Sequence, residues 1–484
     1  MRLLFLFAIF MVNFSSSAQD PNNWIRTYGG GGYDIGVVGY ETEDREYIIA
    51  ASTSSSGSGN SDIKLMKLDS LGNELWIKVF GSTGVDVVKS LCVSNDKGFL
   101  IAGYSNGFGN GGYDFYIFKT DYAGNLIWEK TFGGSDWDFA ESIYETADGN
   151  ILVVGTTFSY GNGDSDIYLL KLNSIGDKLW DKTFGGNKTE KGYAVIESYD
   201  ENILIVGQTN SFSDSYRAYM IKADNKGEVI WAKMYSDREN AVFYDIKETG
   251  DYGYVACGSS KNPDYGVTDF YITKVDNGGS EIWKIEDYQP ANDEFFSIVV
   301  KNGHEYALAG YTESHGLGGR DVYVGIYPLI DPMFHTTFGG TDLDEAYHIS
   351  LTTDGGFLIT GTTKSFTPGI QSVFINKTDS IRFFKFDPII VNIKEEKNKE
   401  EFTFLPYPNP FTRKTFINLP ENYQKIDLKV FSIDGKNISN YFNFQHKNNQ
   451  LIITNNNDMK GLFFFQVFEN GMFLAKGKLI TTSN

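Results

Sequence analysis

Cysteine, histidine, cations and long apolar runs are all scarce in this chain, and each shortage removes a class of protein. Its 484 residues hold two cysteines, Cys92 and Cys257, in apolar strand-like contexts. Both are expected as buried free thiols, so no disulfide framework holds the fold. The five histidines, His304, His315, His335, His348 and His446, share neither ligand spacing nor a repeat position, which argues against a zinc site or a catalytic triad. Lysine and arginine number 42 against 62 acids, a formal charge of −20. That balance argues against nucleic acid and anionic lipid surfaces as partners. No segment keeps a helical period, so the expected class is all-β.

The apolar run Leu3–Val12 follows Arg2 and precedes the small residues Ser16 and Ala18. This is the three-part pattern of a secretory signal peptide over 1–18, and it is too short to span a bilayer. No cysteine follows for lipid attachment, and no transmembrane segment is expected later in the chain. Charge is uneven along the sequence: residues from Glu401 onward carry 9 cations and 6 acids, which is 9 − 6 = +3, leaving −20 − 3 = −23 for residues 1–400. A composition step of this size implies a boundary near residue 400.

What is present in abundance is glycine, 52 residues, and aromatic side chains, 15% of the chain. Six of seven tryptophans, Trp24, Trp76, Trp128, Trp180, Trp231 and Trp283, are spaced by 52, 52, 52, 51 and 52 residues, and Phe334 and Phe386 continue the series. Each unit reads as four strands of 5 to 8 residues, as in "WEKTFGG", "ESIYETADG", "NILVVGTT" and "DIYLLKLNS", separated by Asp-Gly, Gly-Gly or Gly-Asn turns. A four-stranded sheet of this size cannot bury its own faces, whereas seven packed radially can. The expected fold is therefore a seven-bladed β-propeller over 19–386, then a charged linker over 387–403 and a small antiparallel β-sandwich over 404–484. Two segments compete to complete the seventh blade, the strand at Trp24 and "SIRFFKFD" at 380–387. Glycine recurs 27 residues after the aromatic in six units, Gly103 to Gly361, which predicts a packing site where another backbone or a large aromatic comes close.

Acids recur ten residues after the aromatic: Asp34, Asp86, Asp138, Glu190, Asp293 and Asp344, with Ala241 breaking the series. They would either form a negative ring at one mouth, able to hold calcium, or cap their own turns, and capping is the preferred reading. A second series, Asp62, Asp114, Asp166, Asp269 and Asp321, opens another strand and lacks the spacing of a calcium loop. No catalytic constellation and no cofactor motif is visible. Trp137, Tyr216 and Tyr265 lie in loops where their rings would stack on sugars or merely pack.

The unit resembles bacterial propeller repeats of exported proteins through "GNxLWxKTFGG" and "DGGFLIxGTT", and it lacks the "GH…WD" signature of WD40 repeats. The tail resembles the C-terminal sorting domain of the type IX secretion pathway. The matching residues are Tyr407, Pro408, Asn409, Pro410 and Phe411, then "VFSIDGK" with Gly435 and Lys436, then Gly461 in "KGLFFFQV", and finally Gly477 and Lys478 in "GKLI". The family's "GxY" is here "GLFFF". The resemblance implies the type IX machinery as partner, passage across an outer membrane, and release or surface attachment. The expected function is a non-catalytic propeller that binds a glycan or protein. The alternatives are a glycan-active enzyme using mouth acids and a structural surface protein without a ligand.

Overall fold

The computed structural model describes residues 23–327, 334–367, 369–378, 411–418, 426–431, 438–447, 450–455, 459–469 and 472–481. The chain divides into two compact units, 1–391 and 392–484. The first contains seven four-stranded antiparallel sheets, six of them with their strands in chain order, and is a seven-bladed β-propeller. The inner strands are Asp34–Glu41, Asp86–Val93, Asp138–Glu145, Glu190–Glu197, Val242–Glu248, Asp293–Lys301 and Asp344–Leu351. Those of successive blades contact one another around the axis, including first with last.

Burial follows position in the blade. The second and third strands of blade 3, Ile151–Thr157 and Asp166–Leu172, are buried at every residue, because neighbouring sheets cover both faces. This is why they read as continuous Val, Ile and Leu runs rather than alternating ones. Its outer strand, Lys178–Phe184, alternates toward solvent. Cores such as Ile48, Leu65, Phe99 and Phe118 are shared between adjacent blades. Each such side chain contributes about 1.5–3 kcal/mol by leaving water.

The repeated aromatic locks each blade to the next. A Cβ on Gly72, Gly124, Gly176, Gly227 or Gly279 would lie 2.7 to 3.1 Å from the ring of Trp24, Trp76, Trp128, Trp180 or Trp231 respectively. Each tryptophan sits on an outer strand and each glycine in the turn before the outer strand of the following blade, with φ between 73° and 82°. Only glycine meets both demands, the left-handed backbone and the flat ring against it. Three indoles also donate to that turn: Trp24 to the Ser70 carbonyl at 3.0 Å, Trp128 to Ser174 at 3.3 Å and Trp231 to Asn277 at 3.2 Å.

The N-terminal strand closes the ring. Trp24–Tyr28 pairs antiparallel with Ser372–Thr378, giving blade 7 its outer strand from the start of the chain. The competing segment at 380–387 lies outside the described residues.

The C-terminal unit holds two three-stranded antiparallel sheets. One runs Lys414–Asn418, Gln450–Asn455, Phe442–Lys447, and the other Ile426–Phe431, Gly461–Glu469, Met472–Thr481. Phe411, Ile417, Val430, Ile453, Phe465 and Leu479 meet in one core between them, a small sandwich.

Candidate functional site

Every inner strand carries a β-bulge thirteen residues after the repeated aromatic, at Val37, Lys89, Glu141, Tyr193, Tyr244, Phe296 and Tyr347. The carbonyl of the residue two positions before the bulged one lies against the second strand. A Cβ on Gly103, Gly155, Gly207, Gly258, Gly310 or Gly361 would lie 1.8 to 2.0 Å from that oxygen, which accounts for the glycine recurring at this position. The extra residues of the bulges in blades 4 to 7 face one another in turn. Tyr193, Tyr244, Phe296 and Tyr347 form an arc with ring centroids 5.1, 5.2 and 5.5 Å apart. Across blades 2 and 3 the circle continues as an ion pair, Lys89 to Glu141 at 3.0 Å.

Polar groups back this arc. Tyr244 donates to Glu294 at 3.1 Å and Tyr311 to its other oxygen at 3.0 Å. Arg320 bridges Glu313 at 2.9 Å and Glu345 at 2.5 Å, and lies 4.1 Å over the Tyr311 ring. Further along the axis His348 meets the Tyr40 hydroxyl at 3.2 Å, and Lys247 pairs with Asp245 at 2.5 Å. Burial pushes His348 down to about 4, so it is neutral at pH 7. Burial also raises the Tyr244 and Tyr347 phenols, which stay protonated.

At the mouth formed by the loops entering the inner and third strands, blades 2 and 3 carry an aromatic platform. Trp137, 52% exposed, lies against Tyr113, Phe139 and Phe158 at 6.3, 6.2 and 6.4 Å. Tyr104 contacts Phe139 at 4.9 Å, and the Lys89 ammonium stands 5.9 Å from the Tyr104 ring, which joins the platform to the axial circle. Gly112 makes room: a Cβ there would lie 2.0 Å from the indole. Tyr265 is exposed in its own loop and Tyr216 is half-buried.

The recurring acids are placed differently from these rings. Asp34, Asp86, Asp138, Glu190, Asp293 and Asp344 open the inner strands and are at most 2% exposed. Asp34, Asp138, Glu190 and Asp344 accept the N–H of Gly30, Gly134, Gly186 and Gly340 at 2.7 to 2.9 Å, and Asp86 accepts from Ser82 at 2.6 Å. Serines of the opposite loop also donate, Ser55 to Asp34 at 2.5 Å and Ser314 to Asp293 at 2.6 Å. Asp34, Asp138, Glu190 and Asp344 thus tie two loops of their own blades together, whereas Asp86 accepts from Ser82 of its own loop alone. Where Ala241 interrupts the series, the buried Arg238 reaches the Asp287 carbonyl at 2.9 Å.

The second series meets the first across blade junctions. A Cβ on Gly133 would touch both Asp114, at 1.8 Å, and Asp138, at 2.7 Å, and Gly81, Gly185 and Gly339 stand between the equivalent acids of their junctions. Burial foremost, and then the neighbouring acid, pushes up the carboxyls of Asp114, Asp166 and Asp321, and Asp269 reaches about 6. Among the described residues no group of three or more His, Cys, Asp or Glu stands placed to hold a metal ion. Cys257 is buried and Cys92 partly so, both as free thiols.

A second recurring charge escaped the sequence reading. Lys67, Lys119, Lys171, Lys222, Lys274 and Lys377 lie directly opposite the aromatic position or its equivalent on the third strand and are at most 7% exposed. Five reach an acid of the first turn of their blade at 2.6 to 2.8 Å: Glu46, Asp96, Asp200, Asp251 and Asp354. Lys171 stands 3.8 Å from Asp148. Their even spacing was the available signal.

In the C-terminal unit Phe411 is buried and bridges Thr481, while Gly477 and Lys478 pair with Phe465 and Phe464, and Gly461 with Thr481. Tyr407, Pro408, Asn409, Pro410, Gly435 and Lys436 lie outside the described residues.

Blade number, strand order and closure define the class: a β-propeller followed by a sandwich. Residues 406–481 match the family described as the secretion system C-terminal sorting domain, and residues 146–178 match a β-propeller domain of unknown function. The chain is thus a propeller protein bearing a type IX sorting domain. No curated protein matches it in sequence. Among solved structures it is similar to the Neurospora crassa Pan2 WD40 domain, with 11% identity, 74% of this chain and 96% of that one covered, and TM-score 0.47. It is also similar to the propeller of the trilobed protease of Pyrococcus furiosus, which has an open velcro topology, with 11% identity, 76% and 100% coverage, and TM-score 0.44. No helix among the described residues is long and apolar enough to cross a membrane.

Proposed function

We propose that this is an exported, non-catalytic binding module, delivered by its sorting domain to the type IX machinery, that holds a glycan or protein ligand on the aromatic platform of blades 2 and 3. The observation carrying this reading is Trp137. It is the one tryptophan outside the repeat register, and it is half exposed on a bed of aromatic rings beside the axial circle. A large rigid side chain held edge-to-face against other rings at a mouth is suited to bind through area at little entropic cost. The recurring acids are closed in by their own loops, which supports a structural use for them rather than attack on a substrate.

The test is an array of bacterial and plant glycans and surface proteins probed with the full chain and with Trp137→Ala. Retention of at least one ligand, weakened about tenfold or more by the substitution with an unchanged melting temperature, is expected. Turnover of a polysaccharide by the purified chain would instead favour the enzymatic alternative.

A further inference from the structure

The opposite face of the propeller, built from the turns after the inner and third strands, carries a site of another kind. At three junctions the first turn of one blade meets the left-handed residue of the corresponding turn in the next. Between blades 1 and 2 the two residues form an ion pair, Glu43 and Lys97 at 2.7 Å, and between blades 5 and 6 they are Gly250 and Gly303 in backbone contact. Between blades 4 and 5 they are Tyr199 and Tyr252, 77% and 55% exposed, with ring centroids 5.2 Å apart and planes at 49°.

Tyr252 holds φ at 62°, the left-handed conformation that this turn position also gives to Arg45, Lys97 and Glu201 and, in two blades, to Gly149 and Gly355. The two tyrosines border a cleft of about 250 Å³, completed by Asp200, Glu248 and Asn277.

The polar lining is divided between structure and ligand. Asp200 is neutralised by Lys222 at 2.6 Å. Glu248 gives one oxygen to the Tyr199 N–H at 2.9 Å, which leaves the second as an acceptor. The Asn277 carbonyl oxygen accepts from Lys222 and, at 3.1 Å, from the Tyr254 hydroxyl, so its amide hydrogens remain as donors. Burial, foremost, holds the Glu248 carboxyl above the usual range, which weakens it as a partner for a cation.

We infer that this cleft binds one pyranose ring of a neutral glycan, the C–H face on Tyr199 and Tyr252 and adjacent hydroxyls on Glu248 and Asn277. The site is independent of the Trp137 platform and lies on the other face.

Affinity electrophoresis of the full chain through gels containing neutral glucan, xylan, mannan or galactan tests this, with tetramethylammonium as a competing cation. Retardation by at least one polysaccharide is expected. It should fall about tenfold or more in Tyr199→Ala and in Tyr252→Gly, and persist in Trp137→Ala. Because Tyr252→Gly places glycine where the backbone favours it, that variant should melt no lower than the parent, so lost binding is not lost folding. Absence of retardation by all four polymers, retardation unchanged in Tyr252→Gly, or displacement by tetramethylammonium would each overturn the inference. Loss in Trp137→Ala alone would assign the binding to the other mouth.

Discussion

At the scale of single residues, the propeller depends on glycines that are required for two different reasons. Those under the tryptophans need a left-handed backbone and a bare face, and those opposite the bulges need the absence of a Cβ against a carbonyl. Gly176→Ala would force the Trp128 ring off its seat and strain φ at 82°. It should destabilise the protein by about 1–3 kcal/mol, read as a lower midpoint in urea with an unchanged slope. Such glycines were legible in the sequence because they recur. The buried lysines recur as evenly, yet they were missed, since a lysine is read as solvated unless its partner is known. Lys274 finds Asp251 at 2.6 Å only because the first turn folds back over the third strand. The ion pair is a product of the fold and not of any local stretch.

At the scale of elements, the repeated frame was visible and the departures from it were hidden. Strand order, turn positions and the acid series follow from a spacing of 51 or 52 residues. The bulge residues occupy one position filled by Val, Lys, Glu, Tyr, Tyr, Phe and Tyr, and reading for recurrence passes over a position that varies. The loops that meet at blade junctions carry their own consequence. Asp321 is raised by burial and by Asp344. A carboxyl raised in the folded state stabilises while protonated, and that contribution is lost as pH climbs from the unfolded value of about 4 through the folded one. Asp321→Asn should therefore raise the melting temperature at pH 8 and leave it nearly unchanged at pH 4. Calorimetry at the two values checks the sign, and an equal shift at both would show that the effect is not ionisation.

At the scale of the whole molecule, seven sheets make a closed ring only through the strand Trp24–Tyr28. The sequence left two candidates for this place, because both are apolar, aromatic and correctly spaced; what favours the first is Trp24 meeting Gly72 and Tyr28 donating to the Gly72 carbonyl at 2.5 Å. Deleting residues 23–28 should leave the third strand of blade 7 as a bare edge and uncover Tyr47, Met66 and Leu68 on blade 1. A loss of about 3 kcal/mol or more, with concentration-dependent association through the new edge, is expected in chemical denaturation and light scattering.

Closure also sets an order of events. Pairing Tyr28 with Val373 joins positions 373 − 28 = 345 apart, so the strand synthesised first is the last to find its place. Until blade 7 has emerged, that strand waits without a partner while the blades between can form in turn. A chain bound for export thus has a built-in delay: it stays an open arc, with both ends adhesive, for as long as its far end is held back.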